Sequence, residues 1–143
     1  MKQKLNCVLF IDDDEPTNFL NEMIIENACC TEHIEIATSG EQALHYLGNN
    51  KGNTDKNNKY PRPDLIFLDV NMPAMNGWEF LNEYNDLEDE QKGKIVIIML
   101  TTSLNPDDKL KAAETPHIAG FENKPLTKEK LGNLLIKYFP GNQ

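Results

Sequence analysis

The chain has 143 residues, enough for one domain, and 39% of them are hydrophobic, enough for a real core. A formal net charge of −9 argues against nucleic-acid and anionic-membrane partners, because phosphates demand a basic face. No apolar run approaches the roughly 18 residues of a spanning helix, and "MKQKLNCVLF" lacks the long apolar core and cleavage site of a signal peptide. The three cysteines form no CxxC and read as reduced thiols of a cytoplasmic protein.

The first apolar run, "NCVLFI" (Asn6–Ile11), predicts a strand, and it ends in Asp12, Asp13 and Asp14. "PTNFLNEMIIENACC" predicts a helix, with Pro16 in its first turn and Phe19, Leu20, Met23, Ile24 and Ala28 at helical spacing. "IEIAT" (Ile34–Thr38) is a second, more polar strand. "SGEQALHYLG" follows as a helix, opened by a Ser39–Gln42 capping-box pattern and closed at Gly48. Residues 48–63, "GNNKGNTDKNNKYPRP", read as a long polar surface loop, a solvated insertion rather than a binding element.

"DLIFLD" (Asp64–Asp69) is the third strand, and "GWEFLNEYNDL" the third helix, carrying Trp78, Phe80, Leu81 and Tyr84. "IVIIML" (Ile95–Leu100) is the fourth strand and runs into Thr101, Thr102 and Ser103. "NPDDKLKAAET" predicts a helix with Asn105 as cap, acids at its positive end and Pro116 as its stop. "IAGFENK" (Ile118–Lys124) is a weaker fifth strand, and "TKEKLGNLLIKYF" places Leu131, Leu134, Leu135 and Tyr138 or Phe139 on one helical face.

Strict alternation of five strands and five helices implies a parallel sheet with helices on both faces. The first, third and fourth runs are nearly continuous in apolar residues, as strands buried on both faces should be. The second and fifth read as edges. No repeat or second domain is evident, so the expectation is one domain over residues 1–143, with its core at about 5–139.

Ligands of such sheets bind beyond the carboxyl ends of the strands. Here those ends offer Asp12–Asp14, Asp69, the hydroxyls of Thr101, Thr102 and Ser103, and Lys124. Clustered carboxylates are tolerable around a divalent cation. The donors are hard oxygens with no Cys or His among them, which favours Mg²⁺ over zinc. Lys124 and Thr101 suit a phosphate, and a carboxylate can itself be the nucleophile that forms an aspartyl phosphate. Asp14 and Glu15 could be further ligands, although a helix start suits acids that face solvent. His33, His45 and His117 show no ligand spacing.

The segments "FIDDDE", "LIFLDVNMPAMNGWEF", "IIMLTTS" and "FENKPL" resemble the four signatures of response-regulator receiver domains of two-component signalling. The resemblance spans Leu5 to Phe139. It implies a flavodoxin-like, doubly wound five-stranded sheet of order 2-1-3-4-5. It implies Asp69 as phosphoacceptor and Mg²⁺ held by Asp12, Asp13, Asp69 and the backbone carbonyl of Asn71, with Asp13 ligating directly and Asp12 mainly through water. Thr101 would hydrogen-bond the phosphoryl group, Lys124 would pair with it, and Pro125 would follow, often by a cis bond. Phe121 matches the aromatic switch residue, and Pro73 and Gly77 the turn into the third helix. Asn71 and Ser103 match positions that influence phosphate lifetime.

The implied function is a stand-alone cytoplasmic response regulator. A histidine kinase or phosphotransfer protein would phosphorylate it, and a protein-binding face would switch. Output would run through an unknown protein, with no nucleic acid and no membrane insertion. It would be no enzyme beyond its own phosphoryl transfer and dephosphorylation. Alternatives are a relay intermediate that passes phosphate onward and a pseudo-receiver that only binds. A further alternative is a Mg²⁺-dependent phosphohydrolase, for which Asp12 and Asp14 have the DxD spacing.

Overall fold

β-Branched and large apolar side chains dominate the central runs, and such residues favour a pleated, buried backbone. The computed structural model of the chain describes residues 4–48, 61–87, 95–102, 105–115 and 117–140. The strands are β1 (Leu5–Ile11), β2 (Thr31–Ala37), β3 (Leu65–Leu68), β4 (Val96–Thr101) and β5 (Ile118–Asn123). The helices among the described residues are α1 (Glu15–Ala28), α2 (Gly40–Gly48), α3 (Gly77–Asn85), α4 (Pro106–Glu114) and α5 (Lys128–Tyr138). All strand pairs are parallel, and the order is β2-β1-β3-β4-β5. This is the flavodoxin-like doubly wound fold, with the two more polar strands at its edges.

Two cores flank the sheet. On one face Leu9, Ile11, Ile66, Leu68, Ile97 and Met99 meet Ala43, Tyr46 and Leu47 of α2 and Phe80, Leu81 and Tyr84 of α3. On the other, Val8, Phe10, Leu65, Phe67, Ile98 and Leu100 meet Ile25 of α1 and Leu131 and Leu135 of α5. Phe10 and Phe67 stack across β1 and β3 with ring centroids 5.0 Å apart. Period-two alternation along each strand sends neighbours to opposite cores, which is why these strands read as continuous apolar runs.

Several boundaries differ from the sequence reading. α1 ends at Ala28, because Cys29 takes the left-handed conformation (φ 52) and closes the helix. β2 therefore starts at Thr31, three residues before the expected Ile34. Its polar lead, Thr31 to His33, is tolerated because an edge strand is half-covered. Thr101 is the last residue of β4 rather than the first after it. The polar loop lies mostly outside the described residues, as do Ser103 and Pro116. Where the chain returns, the Tyr46 hydroxyl donates to the Pro61 carbonyl at 2.6 Å.

The largest correction concerns α1. Most of the expected apolar stripe faces outward, with Phe19, Leu20 and Met23 at 64%, 58% and 44% exposure, while Ile24 is half-buried against the core. The buried positions are Asn18, Asn21 and Ile25. Periodicity fixes the existence of a stripe but not the rotation of the helix. At its start Asp14 caps the helix, and the inward-facing Asn18 side chain bonds back to the Asp12 carbonyl.

Candidate functional site

Three backbone hydrogen bonds set the rim above the sheet. The N–H of Asp12 donates to Ala37 O (3.1 Å), that of Asp69 to Ile11 O (3.0 Å), and that of Lys124 to Thr101 O (2.8 Å). Each continues the parallel ladder just past the end of its strand. Asp12, Asp69 and Lys124 are thus held as stiffly as the sheet, at the ends of β1, β3 and β5.

Their side chains converge. Lys124 Nζ lies 2.6 Å from Asp12 Oδ2 and 3.4 Å from Asp69 Oδ1. Asp12 and Asp69 are buried, and Asp13 is exposed beside them. One oxygen from each of Asp12, Asp13 and Asp69 lies within 4.8 Å of the others. Thr101 is fully buried at the end of β4. Phe121 is set back in β5, opposite Met99, half-buried against the α2–α3 core. The Lys124–Pro125 peptide bond is cis.

The turn after β3 is shaped by a close approach. A Cβ on Gly77 would meet the Asp69 carbonyl oxygen at 2.6 Å, so only glycine lets α3 start this near the rim. Asn76 caps α3 through a full capping box with Glu79. The sequence signal for it, Asn-x-x-Glu, lies in "NGWE" but was not read as a cap. Ala74 occupies the left-handed region at φ 66.

Electrostatics follow from burial. Desolvation pushes the Asp69 carboxyl up, and the charge of Asp12 adds to this, against Lys124 and a hydrogen bond from the Asn71 backbone N–H. For Lys124, burial pulls the ammonium down. Its hydrogen bond to Asp12 and the charges of Asp12 and Asp69 outweigh this, so the net shift is upward. Three carboxylates face one ammonium, which leaves two negative charges for a cation to neutralise. The donor set is all hard oxygen, and it fits Mg²⁺.

Asp14 does not join this group. It is exposed, and its Oδ2 accepts from the N–H of Thr17 at 3.1 Å and from the Thr17 hydroxyl. Those bonds hold its carboxyl below the usual range. Two residues near the rim carried no sequence signal for a role there. Asn18 Nδ2 donates to the Asp12 carbonyl at 2.8 Å. Lys130 Nζ donates to the carbonyls of Asn123 (2.8 Å) and Pro125 (3.1 Å), which bracket Lys124.

Comparison with known proteins identifies the family. The response regulator Rcp1 of Synechocystis is 29% identical over 134 residues, which is 94% of this chain and 84% of Rcp1. The histidine-protein kinase BarA of Escherichia coli is 27% identical over 142 residues, and there the chain spans 14% of the relative's length. A two-component response regulator from Cytophaga hutchinsonii superimposes with a TM-score of 0.83 at 34% identity, covering 96% of this chain and 99% of that one. The family model of the response regulator receiver domain matches residues 8–136, a span that holds every residue of the rim, and the chain belongs to that family.

Proposed function

We propose that the chain acts as a stand-alone, cytoplasmic response regulator whose Asp69 accepts a phosphoryl group from the phosphohistidine of a kinase or phosphotransfer protein. The observation that carries this reading is the placing of buried Asp69 beside Lys124, at 3.4 Å, and beside the oxygens of Asp12 and Asp13. An oxygen of Asp69 attacks phosphorus in line, the P–O bond forms as the P–N bond breaks, and the histidine nitrogen leaves. Lys124 swings from Asp12 toward the phosphoryl oxygens and balances their charge. Asp12, Asp13, Asp69 and the Asn71 carbonyl would hold Mg²⁺, which when bound supplies further neutralisation of those oxygens.

Thr101 then donates its hydroxyl to the phosphoryl group. Phe121 turns inward behind it, and the α4–β5–α5 face changes shape for an output protein. Similarity to Rcp1 along most of that protein supports the stand-alone reading. Similarity to a segment of BarA, a histidine kinase, favours a second reading in which the chain passes phosphate along a relay. The phosphohydrolase reading loses support because Asp14, its second aspartate, is spent on capping α1.

The test is incubation with acetyl phosphate and Mg²⁺, followed by mass spectrometry. One acid-stable, base-labile phosphate should appear on Asp69, and Asp69→Asn should abolish it. A main product on any other residue refutes the assignment.

A further inference from the structure

α1 turns two asparagines inward. Asn18 and Asn21 are 3% and 4% exposed, on the face that carries Ile25. Neither amide is fully satisfied: Asn18 Oδ1 and Asn21 Nδ2 lack a hydrogen-bond partner. Unpaired buried polar atoms disfavour folding, and leucine would fill the same face without that penalty. What Asn18 gains instead is a bond at the rim, from Nδ2 to the Asp12 carbonyl at 2.8 Å.

That carbonyl is one half of the peptide that joins Asp12 to Asp13. The rest of Asp12 is already fixed. Its N–H donates to Ala37 O at 3.1 Å, its Oδ1 accepts from the Asp14 N–H at 3.0 Å, and its Oδ2 accepts from Lys124 at 2.6 Å. A peptide unit is planar, so its orientation dictates where the next Cα goes. Asp13 is the exposed member of the carboxylate group, and the plane of this peptide sets its direction.

We propose that Asn18 is a positioning residue for the metal pocket: its amide reaches back from the first turn of α1, fixes the Asp12–Asp13 peptide, and so aims the Asp13 carboxylate at the cation. This rests on reading Asp12, Asp13 and Asp69 as a Mg²⁺ site. Asn21 is the matched control. It has the same burial and also one unpaired amide atom, but no bond to the acidic turn.

The test compares Asn18→Leu and Asn21→Leu with wild type by calorimetric Mg²⁺ titration and by thermal melting without metal. Both variants should melt at or above the wild-type temperature. Asn18→Leu should bind Mg²⁺ about tenfold more weakly, as when a partner behind a ligand is lost, while Asn21→Leu binds as wild type does. Acetyl phosphate labelling of Asn18→Leu should be slow at low Mg²⁺ and return to within about twofold of wild type at saturation. Asn18→Ala should show the same affinity loss and serves if the leucine variant does not fold. Unchanged Mg²⁺ affinity in the Asn18 variants, an equal loss in Asn21→Leu, or a labelling defect that saturating Mg²⁺ does not cure each overturns the proposal. If wild type itself binds no Mg²⁺, it is the reading of the pocket that fails.

Discussion

Replacing Lys124 by methionine isolates the electrostatics of the rim. Methionine keeps much of the aliphatic stem but removes the ammonium that lies 2.6 Å from Asp12 and 3.4 Å from Asp69. Two buried carboxylates then face each other uncompensated. Breaking a buried pair in this way costs about 3–5 kcal/mol. An independent ceiling comes from protonation. The pocket can relieve the repulsion by holding one proton, at about 1.4 kcal/mol for each pH unit above the ordinary carboxylate value near 4. At pH 7 that amounts to about 4 kcal/mol, and at pH 5 to about 1.5 kcal/mol.

The sign of the pH dependence follows. Burial and Asp12 already raise the Asp69 carboxyl, and loss of Lys124 raises it further. A raised carboxyl binds its proton more tightly in the folded state than in the unfolded chain. Stability is therefore fullest below pH 4 or so and is lost as pH rises through the raised value. Mg²⁺ supplies the missing positive charge, so the variant should gain more from the ion than wild type does. The assay is urea unfolding followed by circular dichroism at pH 5 and pH 7, with and without Mg²⁺. A loss under about 1 kcal/mol at pH 7 without metal, or one that does not shrink at pH 5, refutes the reasoning.

Ala74→Gly should leave stability unchanged or raise it by up to about 1 kcal/mol in urea unfolding, because the left-handed φ of 66 strains alanine but not glycine; a loss of that size counts against strain at this turn. Lys111 Nζ lies 4.6 Å from the centroid of the Trp78 ring, so Lys111→Met should change the emission of this single tryptophan and cost only about 0.5 kcal/mol. An unaltered spectrum would show that the contact is not kept in solution. Phe121→Ala should still take phosphate on Asp69 within about twofold of the wild-type rate, and its loss of half-buried surface should cost about 1–2 kcal/mol. Its affinity for an output protein should no longer respond to beryllofluoride, and a full wild-type response would exclude Phe121 from the switch.

The rim was legible because its chemistry is punctuated. Asp12, Asp69 and Thr101 stand where apolar runs stop, Lys124 closes the weaker fifth run, and polar groups gathered at strand ends point to a rim. The strand order was less accessible, since alternation alone allows several windings. It came from the resemblance of four short segments. The face of α1 was misread because Phe19, Leu20 and Met23 satisfy a helical period as well as any core stripe does. The face that is buried carries Asn18 and Asn21 beside Ile25, and no hydropathy pattern points to such a face. The start of β2 was missed for a related reason. Its first three residues, Thr31, Glu32 and His33, are all polar, and only the apolar Ile34 and Ile36 stood out.

The ladder bonds of Asp12, Asp69 and Lys124 bear on how this chain tolerates change. The placing of these three side chains is a property of the sheet rather than of the loops. Residues 49–60 feed into the opposite end of β3, and the strand rises about 3.3 Å per residue, so Asp64 and Asp69 lie roughly 16 Å apart. Lengthening or rewriting that connection reaches the carboxylate only by shifting β3 along β1 and β4. Their register, from Val8 opposite Leu65 to Leu68 opposite Met99, would resist it with every rung. The connection that enters β3 is thus free to drift in length and composition, or to be spliced with a reporter, while Asp69 stays where the central strands put it.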